Sequence, residues 1–429
     1  VSSEYRQTKL QNGVRIATRE MPHMHTACVG IWTGIGARHE SAEEGGLSHF
    51  LEHMLFKGTK RRNAKQITEA VEGVGGYLNA FTTEDHTCYY AKAGSAHFER
   101  LADVLADLYC HSVFAPEEIE RERDVITEEI SMYRDQPAQH VQELLSETMW
   151  PEQPLGRPLT GTVETISKFK RPHLQKFWRE NYHGGNTIIT VAGRITHEQV
   201  VAAFQPRIGQ LPAGTPRRPR SGRSRAHGPR IQLHTQDTGQ THVAMGFFTG
   251  GRRDQQRFAL KLLSVILGEN MSSRLFQQLR ERHGFCYSVQ SGLTVLSDIG
   301  LLSISAGVDT GKLQSALKVT LREIERLCNK PPGRNELQQA KEYTVGQTLM
   351  CLESTTNQML WMGESLLGYR SVQNPCEIEQ QLQRVTAEDI QRAASDCLHH
   401  GGLGVAVISP MKEVEKLVSW IGHGCSCGC

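Results

Sequence analysis

Ser41-Ala42-Glu43-Glu44-Gly45-Gly46-Leu47-Ser48-His49-Phe50-Leu51-Glu52-His53-Met54-Leu55-Phe56-Lys57-Gly58 is the segment from which the rest of the chain is best approached. Leu47, Phe50, Leu51, Met54 and Leu55 recur at helical spacing, and Gly58 offers a stop. Residues four apart share a helix face, so His49 and His53 project side by side. That separation suits two imidazoles on one zinc ion. Glu52 lies three after His49 and beside His53, where it can reach a water on the metal without being a ligand. The order inverts the commoner His-Glu-x-x-His arrangement. The pentapeptide alone is weak evidence, because two surface histidines and a glutamate on an ordinary amphipathic helix would look the same.

A catalytic zinc needs a third protein ligand besides water. The best supply is Pro116 to Tyr133, where Pro116 suits a first helical turn and Ile119, Ile126, Ile130 and Tyr133 form an apolar face. Glu122 and Glu129 are seven apart and fall on nearly one face. One could bind the metal while the other supports a ligand. By spacing alone, the run Glu117, Glu118, Glu120, Glu122, Glu128 and Glu129 also reads as a solvated acidic face.

Further out, the chain reads as a duplication. Gly30-Ile31-Trp32-Thr33-Gly34 has an echo in Gly246-Phe247-Phe248-Thr249-Gly250. Ala115-Pro116-Glu117-Glu118-Ile119 has one in Pro332-Gly333-Arg334-Asn335-Glu336-Leu337, each opening a long helical pattern. Asn186 to Gly193 and Leu403 to Ile408 both read as buried strands. Between the halves, Pro212 to Pro229 is rich in Pro, Gly, Ser and Arg and lacks apolar periodicity, so it reads as a solvated hinge. The expected fold is α+β: two homologous halves, each a mostly antiparallel sheet covered by helices, facing each other across a linker. The boundaries are 1–211, 212–229 and 230–429.

The 429 residues carry 48 basic and 46 acidic side chains, a net charge of +2, which excludes a strongly basic nucleic-acid binder. The linker arginines lack the interleaved aromatics of a nucleic-acid platform. No apolar run is long enough to span a membrane. Val1 to Arg6 lacks the layout of a secretory signal, and the absence of an initiator Met leaves room for a removed leader. Eleven cysteines without framework spacing argue for a reducing compartment, so a cytoplasmic location is expected. Cys425, Cys427 and Cys429 read as an unstructured terminus.

The sequence resembles the pitrilysin-type zinc peptidases, most of all the short-chain branch that includes mitochondrial processing peptidase and its bacterial homologues. His49 to Thr59 is similar to that branch's zinc helix, Tyr77 to Glu84 with Tyr89-Tyr90 to its active-site strand, and Glu120 to Glu129 to its glutamate helix. The resemblance extends over nearly the whole chain. It implies zinc ligation by His49, His53 and Glu129, with Glu128 as the adjacent alternative, Glu122 as the supporting carboxylate and Glu52 as general base. It implies that Asn79, Ala80, Phe81 and Thr82 lie on an edge strand that receives peptide substrate. Arg280 and Tyr287 match the family's C-terminal Arg…Tyr pair, ahead of Arg274 and Arg282.

The second half has no His-x-x-Glu-His. Phe258 to Leu267 stands at that place as packing, and Gln347 falls near the counterpart of Glu129. One Zn²⁺ per chain follows. Because both the metal motif and the Arg/Tyr pair are present, the resemblance implies a homodimer, with a heterodimer of related subunits as the other arrangement. The implied function is a zinc endopeptidase. A catalytically silent structural or partner subunit is the alternative, against which all four motif positions are intact.

Overall fold

The computed structural model describes residues 5–224 and 228–422. The Cys425/Cys427/Cys429 tail therefore lies outside the described residues. Among the described residues no disulfide joins the cysteines from Cys28 to Cys397.

Two compact units emerge. The first comprises residues through Ile130, Pro158–Arg220 and Thr348–Asn374. The second comprises Ser131–Arg157, Ser221–Gln347 and Pro375 onward. Both units draw on residues from either side of the Pro/Arg/Gly-rich segment.

The first unit is built on a sheet of β1 (Tyr5–Lys9), β2 (Arg15–Glu20), β3 (Thr26–Thr33), β4 (Tyr77–Thr82), β5 (Thr87–Gly94) and β6 (Thr187–Gly193). Their order is β1-β2-β6-β3-β5-β4. The second unit has β7 (Arg230–Thr235), β8 (Thr241–Gly250), β9 (Cys286–Val295), β10 (Ile299–Val308) and β11 (Leu403–Ser409). Their order is β7-β11-β8-β10-β9. Apart from β1, the two orders correspond strand for strand. Each sheet is antiparallel except for one parallel pair, β2 with β6 and β7 with β11. The expected α+β class with two sheets is present.

The internal echoes have a packing cause. Gly30 lies on β3 and Gly246 on β8, the corresponding strand of the second sheet. A Cβ on Gly30 would meet the Met359 sulfur at 2.3 Å, and one on Gly246 would meet Leu145 Cδ1 at 3.2 Å. Met359 belongs to the helix Thr355–Tyr369, which packs on the first sheet, and Leu145 to the helix Pro137–Met149, which packs on the second. Each half of the sequence thus lends one helix to the other half's sheet. Bare backbone at the two glycines admits the incoming side chain. This exchange is invisible to a reading that divides the chain at its linker.

The opposite face of the first sheet packs on the helix Leu47–Leu55, hereafter the motif helix, with Leu47, Phe50, Leu51, Met54 and Leu55 all buried. The motif helix ends before Phe56, and the chain turns away through Gly58, whose φ is +130°. The helix Pro116–Arg134, the glutamate helix, buries Ile119, Ile126 and Ile130 in the same core.

The segment after Pro212 is solvated but not slack. Arg217 pairs with Glu44 at 3.1 Å, and the Arg220 carbonyl accepts a hydrogen bond from Arg38. Beyond it, Gly222 N–H donates to Asp298, and Arg223 N–H to the Gln153 side chain. These anchors were not legible in the segment itself, because the residues that hold it lie far away in sequence.

Candidate metal centre

The motif helix presents His49 and His53 one turn apart, with ring centroids 4.7 Å from each other. The glutamate helix brings Glu129 to both: its Oε2 lies 3.7 Å from His49 Nε2 and 3.5 Å from His53 Nε2. Among the described residues, these three form the one group of potential metal ligands whose atoms converge, all within 4.8 Å. Two ligand atoms, each about 2.1 Å from a tetrahedral ion, are about 3.4 Å apart, so the spacings fit one zinc. Glu128 is exposed and outside that group, which favours Glu129 over its neighbour.

Glu122 is 3% exposed and accepts at Oε2 from His53 Nδ1, 3.0 Å away. Its other oxygen lies 2.6 Å from Lys57 Nζ. A carboxylate on Nδ1 fixes the ring so that Nε2 faces Glu129, the usual way a metal-ligating imidazole is oriented. His49 Nδ1 is buried with no hydrogen-bond partner among the described residues, so that ring is held by packing instead. Lys57 escaped the sequence reading. It lies just beyond the end of the motif helix, four residues after His53, and its place in that segment was the available signal.

The electrostatics divide the two imidazoles. Burial pushes His49 down to about 4, aided by neighbouring His53. Burial also opposes charge on His53, but the hydrogen bonds to Glu122 and Glu129 outweigh it and lift that ring to about 9. Burial counteracts ionisation of Glu122 too, yet His53 and Lys57 hold it below the usual carboxylate range. In the metal-free chain, therefore, His53 carries a proton and His49 does not.

Glu52 is mostly buried beside this group, and burial raises its pKa against the lowering effect of a hydrogen bond from Thr82. The Thr82 hydroxyl donates to Glu52 Oε2. Thr82 ends β4, an edge strand paired only with β5. Side chains alternate across a strand, so the four residues expected to meet substrate divide between two faces. Ala80 and Thr82 point to the motif-helix side. Asn79 and Phe81 point to the other, where Phe81 packs edge-on against Trp32 at 5.7 Å. Phe81 is therefore an anchor of the strand.

Arg280 and Tyr287 lie in the second unit and contact each other, with the guanidinium 4.9 Å from the phenol ring centroid. Arg280 is on the π-helix Phe276–Arg282 and also covers Phe276 at 4.8 Å. Tyr287 is 76% exposed. It sits where the pairing of β9 with β10 slips, since Cys286 opposes Val308 while Ser288 opposes Gly307. A bulge of this kind re-aims a side chain and is common beside functional sites. Arg274 is engaged elsewhere, in two bonds of 2.7 and 2.8 Å to Glu336, and Arg282 reaches only Gln278.

Gln347 occupies the same place in the helix Arg334–Leu352 as Glu129 does in Pro116–Arg134, counted from each helix start. The motif-helix counterpart, Arg257–Ser264, buries Leu260, Leu262 and Leu263 and carries no histidine.

A peptide-hydrolysing class of metalloenzyme is what such a group of side chains on such a fold suggests, and comparison with known proteins agrees. Residues 15–163 match the family described as insulinase (peptidase family M16), and residues 168–343 match the peptidase M16 inactive domain. An uncharacterized zinc protease of Mycobacterium tuberculosis is 36% identical over 415 residues, covering 96% of this chain and 94% of that protein. The uncharacterized zinc protease YmxG of Bacillus subtilis is 35% identical over 409 residues, covering 93% and 97%. The crystal structure of a protease from Helicobacter pylori superposes with a TM-score of 0.88 at 21% identity, covering 95% of this chain and 99% of that one. The chain belongs to peptidase family M16, the insulinase or pitrilysin type, and zinc is the metal its relatives' names support. No helix among the described residues is long and apolar enough to cross a membrane.

Proposed function

We propose that this chain is a zinc-dependent endopeptidase that hydrolyses peptides or unfolded protein segments. The observation that carries the reading is the convergence of His49, His53 and Glu129 beside a partly buried Glu52. One zinc per chain is held by those three residues. When bound, it supplies Lewis acidity for a carbonyl and makes water acidic near neutral pH. Glu52 takes the proton from water and later delivers it to the leaving amine. The Thr82 hydroxyl holds one Glu52 oxygen and so fixes the direction in which the other points. Glu122, braced by Lys57, holds the His53 ring. Substrate adds to the free edge of β4 as an extended strand, a mode of binding tolerant of side-chain sequence.

Residues 1–211 act as the catalytic domain in this reading, and 230–429 supply Arg280 and Tyr287. The Tyr287 hydroxyl donates to the developing oxyanion, with Arg280 orienting its ring. In a homodimer the pair completes the site of the opposite chain.

The test is the zinc-to-protein ratio together with cleavage of a peptide library, for wild type, His53→Ala and Glu52→Gln. The expected result is near-stoichiometric zinc lost in His53→Ala, and cleavage lost in Glu52→Gln with its zinc retained. Bound zinc without any cleavage by wild type would replace this reading with that of a silent partner subunit.

A further inference from the structure

The motif helix is held from outside by an element to which nothing above assigns a role. The loop before it, residues 36–46, carries Arg38, Glu40 and Glu44. The Arg38 side chain is completely buried. A guanidinium so far from water is costly unless it is paired and hydrogen-bonded. Its Nη1 lies 3.1 Å from Asp85, and its Nη2 donates to the Arg220 carbonyl at 3.0 Å.

Three structures meet on this loop. The first is the motif helix: the Glu40 carboxylate, itself buried, accepts from Gly46 N–H at 2.8 Å and from Ser48 N–H at 2.5 Å, which satisfies donors that a helix start leaves open. The second is the turn after β4: Ala37 and Arg38 N–H donate to the Thr83 and Glu84 carbonyls at 3.0 and 3.1 Å, next to the residue that holds Glu52. The third is the connecting segment, held at Arg217 by Glu44 and at Arg220 by Arg38. One loop thus fixes the helix that bears His49, Glu52 and His53, the turn that follows Thr82, and the chain between the halves.

We infer that Arg38 is a positioning residue for the metal centre, and that the Arg217–Arg220 stretch is part of the scaffold that aims the motif helix. The inference rests on the proposed activity only for its kinetic readout. Arg38 touches neither metal nor substrate. It acts by holding Asp85 and the Arg220 carbonyl at fixed distances from the Glu40 cap.

Three variants test this: Arg38→Met, a Gly-Ser-Gly insertion between Arg218 and Pro219, and the two combined. The readouts are amide hydrogen exchange of residues 47–55 and the separate kcat and KM for a cleaved peptide. Each single change is expected to speed exchange across the motif helix and to lower kcat on the order of tenfold, since small misplacements of catalytic groups are costly. KM is expected to stay within about twofold of wild type. Two changes acting through one strap should not multiply, so the combined variant is expected to be no worse than the worse single one. An insertion that leaves both exchange and kcat at wild-type values overturns the inference, as does a combined loss equal to the product of the single losses. If Arg38→Met fails to fold, the insertion decides alone. If wild type cleaves no peptide, the proposed activity fails while the exchange comparison still decides the role of Arg38.

Discussion

Replacing Glu122 by glutamine removes one charge from a buried side chain that touches both His53 and Lys57. An amide oxygen can still accept from His53 Nδ1, so one neutral hydrogen bond survives. The lost part is the charge assistance. Hydrogen bonds to charged groups contribute about 1.5–3 kcal/mol against about 1 for neutral ones. The difference, about 0.5–2 kcal/mol, corresponds to a weakening of zinc binding by roughly two- to thirtyfold. The new amide N–H₂ faces the Lys57 ammonium, donor against donor, so Lys57 swings away and the ring loses its brace. This places the outcome at the upper end, near the tenfold or more typical of carboxylates that support a metal-bound histidine. The assay is competition with a chromogenic chelator at pH 7.5, on wild type, Glu122→Gln and Lys57→Met. Lys57→Met leaves the His53 contact in place and should cost about threefold, less than loss of the carboxylate's charge. Zinc binding in Glu122→Gln within twofold of wild type would refute the claim that this carboxylate fixes the ligand.

Thr82→Val should lower kcat by about tenfold by freeing Glu52 to rotate, and Thr82→Ser should restore it; equal rates for all three would make the contact incidental. Tyr287→Phe should reduce turnover by on the order of a hundredfold with zinc content unchanged, as for loss of one oxyanion donor, and an unchanged rate would remove Tyr287 from the site. The metal-free chain should also show a definite pH response. His53 is raised in the folded state from 6.5 to about 9, so its contribution to stability is full below pH 6.5 and is lost as pH rises through about 9. Glu122 is lowered, so its contribution is present above its unfolded value of 4.5 and is lost on acidification. His49 is lowered to about 4, so its contribution is present above 6.5 and is lost on acidification, and thermal melts of metal-free protein should therefore peak near pH 6.5 and fall toward pH 9.5. A melting temperature that rises over the alkaline range would contradict the His53–Glu122 pairing. Zinc must displace the His53 proton, so its affinity should also strengthen as pH rises from 7 toward 9.

The motif helix was legible because its chemistry is local. Helical spacing by itself puts His49 and His53 on one face, and the apolar residues between them bury the other. The duplication was legible for a similar reason, since matching strands need matching patterns, and the echoing segments fall on β3 and β8, on β6 and β11, and on the two long helices. Spacing alone placed Glu122 and Glu129 on nearly one face, and the preference for Glu129 over Glu128 came from the resemblance. What the sequence could not determine was anything created by closure over long separations. The exchange of the helices Pro137–Met149 and Thr355–Tyr369 depends on which sheet face each meets, and a helical pattern states only that a face is apolar. Phe81 packs on Trp32, and strand alternation assigns its side chain to that face only once β4 is paired with β5. Nothing in the local sequence sets Arg38 apart from other loop charges. Only the tertiary structure surrounds it completely, joining Asp85 and the Arg220 carbonyl across 47 and 182 residues of sequence, distances over which no local pattern carries information.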